Sequence, residues 1–194
     1  MTRKTRPIRF TFDERKATAV AASLLQLAGG SMHYLELLKL LYYADRESLD
    51  LYGQPITGDR YVNMRHGPVL SSVYDLVKRT LFAPTPSKGA WGESIAKRSR
   101  WELELKRPPD PAPLSEAEIE LIERVFKQRR ERTRWDLRDK SHALPEWEDP
   151  GASSRELPIE QILRVLGKGD EEIEAVRRRA EEQRHFARVF APRT

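Results

Sequence analysis

Cysteine is absent, which excludes disulfides, thiolate-bound zinc and thiol nucleophiles from any account of this chain. Long apolar runs are missing too: no stretch approaches the roughly 18 residues needed to cross a bilayer. The basic N-terminus (Arg3, Lys4, Arg6, Arg9) is not followed by a signal-type apolar segment, because Asp13, Glu14, Arg15 and Lys16 interrupt it. No membrane partner and a cytoplasmic location are the resulting expectations. Nucleotide-binding signatures are lacking, with neither G-x-x-x-x-G-K-[ST] nor G-x-G-x-x-G, and the Gly-Lys-Gly at 167–169 is too short to mean more than a helix break. His33, His66, His142 and His185 never fall within four residues of one another, and no Asp-x-Asp occurs. No cofactor and no metal are therefore expected. There is no internal repeat.

What is present describes a folded chain. The 194 residues suffice for one substantial domain or two very small ones, and 39% hydrophobic with 34% charged content indicates a core beneath a polar surface. Lys and Arg number 35 against 30 Asp and Glu, a net charge of +5 that is too mixed to argue for nucleic acid by itself.

Helical periodicity dominates. Ala17, Val20, Ala21, Leu24, Leu25 and Ala28 recur at helical spacing over about 12–28, ended by Gly29-Gly30. Ser31 offers a cap for a second helix over about 32–51, in which ten of the thirteen residues from 32 to 44 are apolar. Such a helix must be buried around most of its circumference. Glu36, Lys39 and Arg46 share its narrow polar strip, whereas Asp45 falls in the apolar arc between Leu38, Leu41 and Leu49. A carboxylate there needs a cation or several hydrogen bonds, and Arg60, Arg65 and His66 are the nearest cations in sequence.

Residues 53–59 carry turn chemistry, 60–64 suit a short strand, and Gly67-Pro68 is a standard opening for a third helix over about 68–82. Trp101-Glu-Leu-Glu-Leu alternates as a strand, and with the segment around Ile95 it predicts a small antiparallel sheet, to which 60–64 can be added. Ser115 and Glu118 form a capping box for a fourth helix, Thr133 caps a short fifth one, and Pro158 opens another. A last helix over about 170–190 has a thin stripe of Ile173, Val176, Ala180, Ala187 and Phe190. The expected fold class is mainly α with a small antiparallel β-sheet (α+β).

The stretch from 39 to 74 is the most distinctive: Lys39, Leu40, Tyr42 and Asp45, then Gly53-x-Pro-Ile, Gly58-Asp59, Gly67-Pro68-Val69 and Tyr74, closing later on Ser141-His142, Pro145 and Trp147. Taken in this order, the set resembles the Panacea domain, the SocA-like antitoxin module of bacterial and phage toxin–antitoxin pairs. The resemblance implies a helical domain over 12–150, with 151–194 as a C-terminal helical extension packed on it. It also implies a non-enzymatic antitoxin whose partner is a cognate toxin protein, with a protease as a further partner where such a domain serves as an adaptor. A phage or prophage protein countering host functions is compatible with the same residues, and so is a homodimer.

The residues themselves leave alternatives open. His66, beside Arg65 and the Gly67-Pro68 amides, suits either an anion or the pinning of a turn. His142 suits either a general base acting with Asp45 or Asp59, as in a hydrolase, or the capping of its helix under Trp147. Tyr61, Asn63, Arg65 and His66 are candidate partner contacts along the edge of the 60–64 strand, and the 83–99 loop and the terminal helix are further candidates. Arg129, Arg130 and Arg134 lie in a stretch with seven Lys or Arg against three acids, a candidate contact for operator DNA in a regulator of its own operon, or simply a solvated face.

Overall fold

A computed structural model describes residues 6–85, 87–129 and 132–189. Its centre is the helix that the sequence marks as apolar nearly all round. α1 (Glu14–Leu27) starts at Asp13, whose carboxylate accepts the Lys16 amide, and buries Ala17, Val20, Ala21, Leu24 and Leu25. β1 (Ser31–His33) follows, then α2 (Tyr34–Tyr52), in which Leu37, Leu41, Tyr42, Ala44 and Leu49 are fully enclosed. The cap of α2 is His33, whose Nδ1 accepts the Leu35 amide at 3.1 Å, and not Ser31, which β-pairing draws into an extended strand. Gly53, at φ +64°, ends α2 in the left-handed conformation.

β2 (Tyr61–Met64) and β3 (Gly67–Leu70) form a hairpin, and α3 (Ser71–Phe82) begins only afterwards. The expected helix start at Gly67-Pro68 is thus corrected. Those residues pair with β2, Asn63 opposite Pro68, on an outer strand where proline's missing N–H costs no ladder bond. The stretch after α3 holds a helix that periodicity did not show, α4 (Gly89–Ser94), anchored by the fully buried Trp91, whose indole donates to Thr80 Oγ1 at 3.0 Å. β4 (Ile95–Lys97) pairs with β5 (Glu102–Leu105) as expected, and β1 takes the other side of β5. The 61–64 strand does not join them.

α5 (Glu116–Arg129) opens with the expected Ser115–Glu118 capping box, and α6 (Arg134–His142) with one made by Thr133 and Asp136. β6 (Arg155–Leu157) adds to the free side of β2, ahead of α7 (Ile159–Val165) and α8 (Asp170–Val189). The described chain is therefore mostly helical with two three-stranded antiparallel sheets, ordered β1-β5-β4 and β3-β2-β6, an α+β fold. One apolar core runs from Ile8 and Phe10 through α1, α2 and α5 to Leu157, Ile162, Leu163 and Val176. α8 contributes Ile173, Val176 and Ala180 to it, but Ala187 is exposed, and Phe190 lies outside the described residues.

Candidate functional site

Lys39, Tyr42 and Asp45 on α2 lie wholly in the core and Arg46 at its margin, and each is answered from outside the helix. Asp45 is wholly enclosed. Its Oδ1 accepts the Ile56 and Thr57 amides, both at 3.0 Å, while Oδ2 accepts the Thr57 hydroxyl at 2.5 Å and the Tyr61 hydroxyl at 3.4 Å. The need for multiple hydrogen bonds is met by the 53–59 turn. Arg60, Arg65 and His66 are not the partners, because the turn folds its own amides onto the carboxylate first. Burial pushes the Asp45 pKa up from 3.8 to about 7, against the pull of the Thr57 and Ile56 hydrogen bonds.

Lys39 is equally enclosed, although the helical wheel places it on the polar strip with Glu36 and Arg46. Its Nζ donates to the Pro68 carbonyl at 2.9 Å, and burial lowers its pKa from 10.5 to about 7. Gly67 is what lets the hairpin come this close. At φ +90°, a Cβ there would stand 2.1 Å from Ser141 Oγ and 2.7 Å from Lys39 Nζ. Gly58 plays the same part for the turn, since its Cβ would meet the Thr11 carbonyl oxygen at 2.1 Å.

Tyr42 and Arg46 share a partner absent from the sequence-level candidates. Glu146, fully buried, accepts the Tyr42 hydroxyl at 2.9 Å and Arg46 Nε at 2.5 Å. Its backbone carbonyl accepts Gln161 Nε2 at 3.2 Å, so one residue ties α2 to the 144–148 loop and to α7. Its place between Pro145 and Trp147 is the only sequence signal it has. Burial and the neighbouring Glu146 raise the Tyr42 pKa well above its ordinary value.

Asp59, a candidate base, caps a helix instead. Its carboxylate accepts the Ser72 and Val73 amides at 3.1 and 3.0 Å, satisfying the start of α3, which has no local cap. His142 closes α6 and stacks on Trp147 with ring centroids 4.1 Å apart, and the Trp147 indole donates to the Met64 carbonyl at 3.2 Å. The pair thereby clasps the β2–β3 hairpin. His142 Nε2 is buried without a hydrogen bond, and its pKa is lowered by burial and then by Lys39 and Arg138. His66 is exposed at the hairpin turn, its pKa lowered by burial, Arg138 and Arg65. Among the described residues neither imidazole contacts Asp45 or Asp59, so the hydrolase constellation is not assembled. No group of three His, Asp or Glu side chains there is disposed to hold a metal ion.

The other motif residues are also interior: Leu40 and Val69 are buried, and Tyr74 is half-buried beneath the Lys78 ammonium, 4.6 Å from its ring centre. Of the candidate partner contacts, Tyr61 and Asn63 are enclosed, because alternate side chains of β2 face the core, and its backbone is covered on both sides by β3 and β6. Arg65 and His66 alone face solvent.

The motif is thus a single internal frame that holds α2 against the turn, the hairpin and the 141–147 segment. A family model described as antitoxin SocA-like, Panacea domain, matches residues 37–148, more than half the chain and the same span as this frame. The chain belongs to the SocA-like Panacea antitoxin family. No curated protein and no solved structure matches it. Within the Panacea span, the large pKa displacements, at Lys39, Tyr42, Asp45 and Tyr61, belong to enclosed groups, whereas the exposed His66 and Asp136 are shifted less. Lys39, Asp45, His142 and Glu146 open into none of the main surface clefts, such as that between 49–53 and α8, although His66 lines one of them. Values displaced by burial without access for a reactant describe a scaffold. No helix among the described residues is long and apolar enough to cross a membrane.

Of the candidate nucleic-acid contacts, Arg129 is spent internally. It donates to Glu47 at 3.0 Å and lies 4.1 Å over the Tyr43 ring. Arg130 lies outside the described residues. Arg134 is exposed and rests over Trp135.

Proposed function

We propose that this protein is an antitoxin that neutralises a cognate toxin by direct protein–protein binding, with the Panacea frame as a rigid platform and no bond made or broken on it. The observation that carries this reading is the fate of the ionisable motif residues. Lys39, Asp45 and Asp59, with Glu146 beside them, are engaged in hydrogen bonds that join distant segments, and His142 is stacked on Trp147, which leaves recognition to the surface that the frame supports. Residues 12–150 form the proposed Panacea unit. Residues 151–194 are its proposed extension, added through β6 on β2 and the apolar side of α8. Presentation of the bound toxin to a protease is a compatible further role, since an adaptor needs only a second surface.

Co-expression with the product of the adjacent gene tests the reading. Growth arrest by that product alone, relieved by this chain and accompanied by co-purification of the two, is the expected result. Relief without a stable complex, or relief abolished by His66→Ala and His142→Ala in a folded protein that still binds the partner with unchanged affinity, would favour catalysis instead. Repression of the operon by the chain alone, lost in Arg134→Glu, would favour the DNA-binding regulator.

A further inference from the structure

We infer that the partner docks in one groove, lined by His33, Tyr34, His66, Trp101, Arg134 and Trp135, and that it does so with an acidic segment bearing an apolar anchor side chain. This rests on the antitoxin reading and names the surface and chemistry it uses. The groove, about 250 Å³, lies where the start of α2, the β4–β5 hairpin and α6 meet.

Two features set it apart. The first is apolar area left in water: Trp101 is 42%, Trp135 46% and the neighbouring Phe82 55% exposed. Phe82 meets Trp101 edge-on and Tyr34 stacks on it, both with centroids 6.0 Å away, so the rings form a continuous patch rather than isolated side chains. Rigid aromatic clusters with arginine are the composition of interface hot spots. The second feature is unneutralised positive charge. Arg100 lies 4.8 Å over the Trp101 ring, and Arg134 and Arg138 lie 5.1 and 4.8 Å over that of Trp135. Arg138 is paired with Asp139, whereas Arg65, Arg100 and Arg134 make no ion pair among the described residues. The acids that face the groove, Glu36 and Glu102, are too few to balance them.

The choice between protein and nucleic acid turns on the ring faces. A stacked base needs an open indole face. Here guanidiniums lie over both indoles and Tyr34 stacks on one, so a base would have to displace them. A carboxylate-bearing peptide instead meets those guanidiniums at their free N–H edges while an apolar side chain fills the groove.

The test compares the wild-type chain with Arg100→Glu/Arg134→Glu, Trp101→Ala/Trp135→Ala and a charge-matched control, Lys127→Glu/Arg188→Glu, on α5 and α8. Affinity for the purified product of the adjacent gene is measured by calorimetry. Unchanged Trp91 and Trp147 indole N–H resonances report that each variant is folded. Both groove variants should weaken binding by at least about 30-fold, the control by less than about 3-fold. If wild type binds and the groove variants bind equally well, the groove is wrong and the antitoxin reading survives. If wild type does not bind, both fall. A dT12 oligonucleotide that competes for the groove would make the occupant nucleic acid. A dimer of the chain alone, split by Arg100→Glu/Arg134→Glu, would make it a second copy. Either of these results overturns the assignment.

Discussion

Replacing Lys39 by methionine should change stability in opposite directions at neutral and alkaline pH. The ammonium is fully enclosed, has one hydrogen bond, to the Pro68 carbonyl, and has a pKa lowered from 10.5 to about 7. A lysine whose folded pKa lies below its unfolded value binds fewer protons when folded. Its contribution is therefore fully favourable above the unfolded value and is lost as pH falls through the folded one. With these two values, the folded state carries a cost of about 4 kcal/mol at pH 7 and about 1 kcal/mol at pH 10. Methionine fills much of the same volume and removes that cost, but it leaves the buried carbonyl without its donor, about 1–3 kcal/mol at any pH. Lys39→Met should thus stabilise the protein by about 2 kcal/mol at pH 7 and destabilise it by about 1 kcal/mol at pH 10. Urea unfolding of both proteins at half-unit steps between pH 7 and 10 gives the difference directly. The window lies above the range of His66 and His142, whose pKa values are lowered. The buried tyrosines Tyr42 and Tyr61, with raised values, stay protonated through it. A difference between the two proteins that stays constant within 1 kcal/mol over about three pH units would refute the reasoning, because it would mean that Lys39 keeps its ordinary pKa inside the fold.

Asp45 has the opposite sign: with its folded pKa raised from 3.8 to about 7, its contribution is fully present below 3.8 and is lost as pH rises through 7. Wild type should therefore gain about 2 kcal/mol between pH 7 and 5 relative to Asp45→Asn, measured by the same unfolding titration. Gly67→Ala must both hold a left-handed φ and displace Ser141 and Lys39, so a loss of about 2–4 kcal/mol is expected in thermal unfolding. Gly29→Ala, with nothing within 4 Å of its Cβ, should cost only about 1 kcal/mol. Glu146→Ala leaves Arg46 and Tyr42 buried without an acceptor and should cost about 3–5 kcal/mol, whereas Glu146→Ala in an Arg46→Met background should cost clearly less.

The legibility of the fold divides by distance along the chain. Where a signal acts within four residues it was readable: the α1 and α2 periodicities, the Thr133 cap, the Ser115–Glu118 box and the β4–β5 pairing all stand where spacing put them. Gly67-Pro68 shows the limit. Locally it is a helix opening, and it became a strand because β2 lies beside it and Lys39, 29 residues away, supplies a donor to its carbonyl. β6 and α4 were illegible for a related reason: a three-residue strand exists only through its partner, and a six-residue helix only through one buried indole.

For the site, the sequence alone determined that Asp45 had to be enclosed and answered by either a cation or several hydrogen bonds, because an apolar arc leaves a carboxylate no water. It also carried the family signature, since the close approaches at Gly58 and Gly67 tolerate no side chain. Only the tertiary structure decided which groups answer Asp45, that Asp59 caps a helix that starts a dozen residues later, and that Glu146 completes the frame. It alone, too, brought Trp101 and Trp135 together beside Arg100 and Arg134, which make no ion pair among the described residues. Local periodicity reports which side chains avoid water, but pairing across 34 residues is set by packing free energy that no spacing rule encodes.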